Sequence, residues 1–132
     1  IDNLSKHINI IYEKIFKKYG LQRGQFAFIT RIVENKNINL KQLAQNIRVD
    51  KATVTKAMQK LEESGYVIKK IDQTDNRIIH LLPTEKCTRI YTCIIQEKNQ
   101  LLSSIINKFT SKELELYISI TRDINICLDK IR

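Results

Sequence analysis

The stretch NLKQLAQNIRVDKATVTKAMQKLEESGYVIKK, residues 39–70, carries two helical rhythms separated by a tight turn. In its first part Leu40, Leu43, Ala44 and Ile47 fall on one helical face. Asn39 suits an N-cap, and Gln42 three positions on can return the bond as a capping box. The turn Arg48-Val49-Asp50 follows, and Asp50 is placed to cap a second helix whose inward stripe is Val54, Ala57, Met58 and Leu61. Gly65 ends that helix. One apolar stripe is all the second helix needs for packing. Its other side holds Lys51, Thr53, Lys56, Gln59 and Lys60, a surface suited to a partner.

Downstream, YVIKKIDQTDNRIIHLLP is rich in Val, Ile and Tyr and is interrupted by polar QTDN, so two strands with a polar tip are predicted from Tyr66 to Leu82. Pro83 and Thr84 are expected to open a long helix with Ile90, Ile94, Leu101 and Ile105 on one side. Thr110 and Glu113 form a second capping-box pattern, starting a last helix through Leu114, Tyr117, Ile118, Thr121, Ile124, Leu128 and Ile131. Upstream, Leu4, Ile8, Ile11, Tyr12, Ile15 and Tyr19 recur at helical spacing until Gly20. A second helix follows through Phe26, Ile29, Ile32 and Val33, and Ile38 is a candidate short strand. The predicted order is four helices, a hairpin and two helices: mainly α with a small β-hairpin wing.

Two short helices joined by a three-residue turn, with small Ala44 where they cross, form a helix-turn-helix pattern. In that arrangement the second helix enters the major groove. Thr53 and Lys56 are then expected to face bases, and Lys51, Thr55 and Lys60 to hold phosphates. Lys41 and Arg48 join them as DNA contacts. At the wing, Asp75 and Arg77 are read as lying two residues apart on one side of a hairpin strand, where the carboxylate can steer the guanidinium. The competing reading is an amphipathic helix with a solvated face and an ordinary exposed ion pair. The succession of capped helix, tight turn, polar-faced helix and basic hairpin favours DNA.

Bulk properties agree. The 132 residues suit one domain, and the formal charge of +9 suits a polyanionic partner, although the charge is spread along the chain. With 42% apolar and 28% charged residues the composition is that of a soluble globular protein. No apolar run approaches the roughly 20 residues of a membrane-spanning helix, and no signal-peptide pattern is seen, so a cytoplasmic protein is expected. Cys87, Cys93 and Cys127 are too scattered for a disulfide scaffold and indicate a reducing compartment. His7 and His80 make no metal-ligand spacing with them, so no metal and no cofactor is expected. An enzyme is not expected either, because no phosphate loop, nucleophile elbow or carboxylate pair is present.

The segment LKQLAQNIRVDKATVTKAMQKLEESGYVIKKIDQTDNRIIHLLPTEK resembles the winged helix-turn-helix core of the MarR (multiple-antibiotic-resistance regulator) family, and GLQRGQFAFITRIVEN resembles its preceding helix. The most specific parts are VDKATVTK, LEESGYV and the Asp75-x-Arg77 pair. The resemblance implies one MarR-like domain over residues 1–132: a DNA-binding core at 22–82 and dimerisation helices at 1–20 and 84–132. It implies a homodimeric bacterial transcription factor, usually a repressor, on an imperfect inverted repeat of double-stranded DNA, with a small-molecule effector. Tyr12, Phe16, Phe26 and Phe28 are the candidate effector pocket, weighed against plain core. Three departures stand out from the family pattern: Arg48 where a small residue is common, Asn76 where a basic one is, and Cys87 where Gly is frequent.

Two alternatives accompany this reading. A winged-helix module can bind protein instead of DNA. A thiol-based redox-sensing regulator is the other, with Cys87 beside Lys86 and Arg89 as the best candidate. The family's peroxide sensors carry their cysteine in the first helix, where this chain has none, so buried structural cysteine is the favoured reading for all three.

Overall fold

The computed structural model describes residues 2–132. Among the described residues six helices and one hairpin follow in order: α1 Asp2–Lys18, α2 Arg23–Glu34, α3 Leu40–Ile47, α4 Lys51–Glu63, β1 Val67–Ile71, β2 Ile79–Pro83, α5 Glu85–Ile106 and α6 Ser111–Ile131. The chain divides into two compact units, Ile1–Gln96 and Glu97–Arg132.

The core of the first unit is built from the apolar stripes of its helices. Ile29 and Ile32 of α2, Leu43 of α3, and Val54, Met58 and Leu61 of α4 are buried together with Leu81 of β2 and Cys87 and Ile94 of α5. Phe16 of α1 stacks on Phe26 of α2 at 4.8 Å between ring centroids, and Phe26 stacks in turn near Tyr91 of α5 at 6.0 Å. Tyr91 also donates a 2.7 Å hydrogen bond to Glu34, tying α5 to the end of α2.

Helix ends follow local chemistry. Asn39 Oδ1 accepts from the Gln42 N–H at 2.8 Å, and Gln42 Oε1 accepts from the Asn39 N–H at 3.0 Å, completing the expected capping box of α3. Thr110 and Glu113 do the same for α6. An unforeseen reciprocal pattern occurs at α2, where the Gln22 N–H donates to Gln25 Oε1 at 2.9 Å.

β1 and β2 pair antiparallel, with Val67 opposite Pro83 and Lys70 opposite His80. The expected short strand at Ile38 amounts to one bridge, Asn39 to His80, with the Leu81 N–H donating to the Ile38 carbonyl at 2.8 Å. Pro83 closes β2 rather than opening α5: a terminal strand position tolerates a residue without an N–H. Thr84 alone caps α5, its hydroxyl accepting from the Cys87 N–H at 3.1 Å.

The second unit has no buried residue in α6. Leu116, Ile118, Ile120, Ile124, Ile126, Leu128 and Ile131 are all exposed there, and in the first unit Leu4, Ile8 and Ile11 of α1 are exposed as well.

Candidate nucleic-acid interface

The outward side of α4 is as the sequence suggests: Lys51, Thr53, Thr55, Lys56 and Lys60 are exposed, as are Lys41 and Arg48. Lys56 and Lys60 are one helical turn apart and share a face. The turn before α4 is set by two devices. Arg48 takes the left-handed conformation at φ 60°, ψ 45°, a backbone that costs a side-chain-bearing residue strain. Asp50 caps α4, accepting from the Thr53 N–H at 2.9 Å and from the Thr53 hydroxyl at 2.6 Å. Those bonds, the hydroxyl's first, hold the Asp50 carboxyl below its ordinary range.

The hydroxyl of Thr53 thus spends its proton on Asp50, leaving its oxygen lone pairs and methyl for an outside partner. The Thr55 hydroxyl donates back to the Lys51 carbonyl at 2.8 Å. Neither bond was foreseen, though Asp50 with Thr53 three residues on is the local signal for the first.

The other end of α4 is pinned by groups from the start of α5, the residue before it and β1. Lys86 Nζ donates to the Ser64 carbonyl at 2.8 Å and lies 4.5 Å from the centre of the Tyr66 ring. The Thr84 hydroxyl donates to the Gly65 carbonyl at 2.7 Å. Lys69 of β1 pairs with Glu62 of α4 at 2.9 Å. These contacts fix the hairpin and α4 to one frame. Sequence reasoning missed them because Lys86 and Ser64 lie 22 residues apart.

At the wing, Asp75 and Arg77 meet as expected but not on a strand. Both sit in the loop between β1 and β2, where the Ile78 N–H bonds the Asp75 carbonyl at 3.0 Å and the Asp72 N–H bonds the Ile78 carbonyl at 2.9 Å. A tight turn instead of strand alternation brings them together. Arg77 Nε and Nη2 reach the two Asp75 oxygens at 3.0 and 3.1 Å, while its side chain stays 91% exposed. The guanidinium first, and then the Arg77 N–H, lower the Asp75 carboxyl's titration.

Comparison with known proteins completes the picture. Residues 21–79 match the profile of the MarR family. The HTH-type transcriptional regulator YybA of Bacillus subtilis strain 168 is 34% identical over 115 residues, covering 87% of this chain and 77% of the relative. A MarR protein from Peptoclostridium difficile is 40% identical, with a TM-score of 0.81 over 98% of this chain and 84% of that one. The chain belongs to the MarR family. As a MarR-family member it is a winged helix-turn-helix, DNA-binding transcriptional regulator and not an enzyme. Streptococcus pneumoniae FabT in complex with DNA shares the fold at a TM-score of 0.81 and 16% identity, over 99% of each chain.

For this MarR-family chain the remaining candidates sort by burial. Phe16 and Phe26 are buried and stacked in the core, and Tyr12 and Phe28 are half-buried against it. Cys87 is fully buried, and burial pushes its thiol up to about 11, the opposite of a reactive thiolate. Its neighbour Lys86 is occupied with Ser64 and Tyr66. The buried-cysteine expectation does not extend to the other two, since Cys93 is half-buried and Cys127 exposed. Among the described residues no His, Cys, Asp or Glu cluster could hold a metal, and no helix is long and apolar enough to cross a membrane.

Proposed function

We propose that the protein is a homodimeric bacterial repressor, cytoplasmic, that grips an imperfect inverted repeat and is released by a small-molecule effector. The observation that carries the DNA-binding mode is the capped α4, with Lys51, Lys56 and Lys60 exposed, held in one frame with a wing whose Arg77 is almost fully exposed. In this mode Thr53 and Lys56 face base edges, Lys41, Arg48, Lys51, Thr55 and Lys60 meet phosphates, and Arg77, aimed by Asp75, enters the minor groove. FabT, a relative in fold solved with DNA, supports the mode.

The dimer proposal rests on the exposed apolar residues of α1 and α6, more than a monomer in water would leave uncovered. In this reading residues 1–132 are one MarR-like domain: 22–82 bind DNA, and 1–20 with 84–132 pair with a second copy. The effector would lie beside half-buried Tyr12 and Phe28, along the Phe16–Phe26 stack.

Selection of bound duplexes from a random pool by the purified full chain tests this. The expected product is an inverted repeat with half-site centres ~10 base pairs apart, bound less tightly as salt rises, by a species that sediments as a dimer at micromolar concentration. A stable monomer, or a pool without a shared sequence, contradicts it.

A further inference from the structure

His80 stands on β2 between two acceptors. Its Nδ1 is 2.8 Å from the Asn37 carbonyl oxygen and its Nε2 is 2.7 Å from Asp72 Oδ1. A carbonyl cannot donate. Neither can Asp72 as a carboxylate, and it is held in that form by the Thr74 hydroxyl at 2.6 Å, the Thr74 N–H at 2.9 Å and the Asp75 N–H at 3.1 Å. A neutral imidazole has one N–H and would leave a lone pair facing oxygen at one end. Only the imidazolium satisfies both contacts.

Those contacts join the loop before α3, through Asn37, to the first residue after β1, Asp72. From Asp72 the chain of bonds runs to the Asp75 N–H, and from the Asp75 carboxylate to the Arg77 guanidinium. We infer that His80, as an imidazolium, is the positioning residue that locks the wing with Arg77 presented, and that it makes DNA recognition by this chain pH-dependent. The inference rests on the proposed reading of DNA by Arg77.

The groups facing the His80 ring are Asp72, the Asn37 carbonyl and Lys70 across the hairpin, with Asp75 bearing on Asp72. The Asp72 hydrogen bond, then the Asn37 carbonyl, raise the titration of His80 above 6.5, and burial, then Lys70, oppose them. A raised folded value means that the clamp is complete below the ordinary histidine value of about 6.5 and is lost as pH rises through the folded one. The ring opens on a recess lined also by Lys70, Ile71 and Thr74, and its side chain is 24% exposed, so protons exchange with solvent.

The test uses the full chain with His7→Gln, which leaves His80 as the only imidazole. Its NMR titration midpoint should lie above 6.5 and fall on Asp72→Asn; a parent midpoint at or below 6.5 overturns the inference. Binding is then read on two labelled duplexes that share one site selected by the protein, one with A·T-rich and one with G·C-rich flanks. Between pH 6 and 8.5 the preference for A·T-rich flanks should fall about fivefold in the parent, a modest coupling between sites. It should stay flat in His80→Gln. Loss of a charge alone would weaken both duplexes alike. A parent-like pH step in His80→Gln, with Arg77→Ala weakened, overturns the inference and leaves the wing reading standing. Arg77→Ala binding like the parent at every pH overturns the wing reading and takes the inference with it.

Discussion

Asp75 holds Arg77 through three hydrogen bonds, one to its backbone N–H at 3.0 Å and two to its guanidinium at 3.0 and 3.1 Å. The bonds occupy one edge of the guanidinium and leave the rest facing solvent. An arginine aimed this way should favour a narrow, A·T-rich minor groove by shape.

Arg77→Ala should therefore leave the melting temperature almost unchanged, since the ion pair is exposed. Binding should weaken roughly tenfold and the preference for A·T-rich flanks should fade. Asp75→Ala should act in the same direction more mildly, because the freed guanidinium keeps its charge and loses its aim. Unchanged affinity and flank preference in both variants, measured by fluorescence anisotropy at moderate salt, would show that the wing is not a reader.

The parts of the fold and site that could be read from sequence are those fixed within a helical turn. Asn39 with Gln42, Thr110 with Glu113, and Asp50 as a cap each involve partners three residues apart, where helix geometry leaves little choice. The parts that could not be read depend on tertiary placement. Nothing in the order of residues says that His80 meets Asn37 across 43 positions, or that Lys86 reaches Ser64. Asp75 and Arg77 were legible as a pair but not as a turn, because alternation along a strand and a tight loop both bring residues i and i+2 together. Pro83 was misplaced for a related reason: proline serves equally at a helix start and at a strand end.

Arg48 offers a test that separates stability from binding. Its left-handed backbone carries a steric cost that glycine would not. Arg48→Gly should raise stability by about 0.5–1 kcal/mol in urea unfolding, the removed strain outweighing the extra freedom of the unfolded chain. The same change should weaken binding to specific and random DNA alike, because in the proposed mode Arg48 meets a phosphate. Lower stability would show that the arginine side chain contributes more than its backbone costs.

Cys87 should resist alkylation at pH 8 in the folded protein and react on unfolding, as a buried thiol titrating at about 11 must. Mass spectrometry of peptides after timed iodoacetamide treatment distinguishes it from Cys93 and Cys127. Rapid modification of native Cys87, accompanied by loss of DNA binding, would restore the thiol-sensor alternative.

In the proposed mode α4 reads bases and does not merely attract phosphates. Lys56 and Lys60 share an exposed face one turn apart, and they carry the same charge. The direct measurement is the affinity of Lys56→Ala and Lys60→Ala for the selected duplex and for a scrambled one, over a range of salt. Lys56→Ala should lose roughly 1–3 kcal/mol on the selected duplex and little more than a phosphate contact on the scrambled one, relaxing specificity. Lys60→Ala should weaken both equally and reduce the salt slope by about one. Equal losses on the two duplexes for Lys56→Ala would contradict base reading by α4.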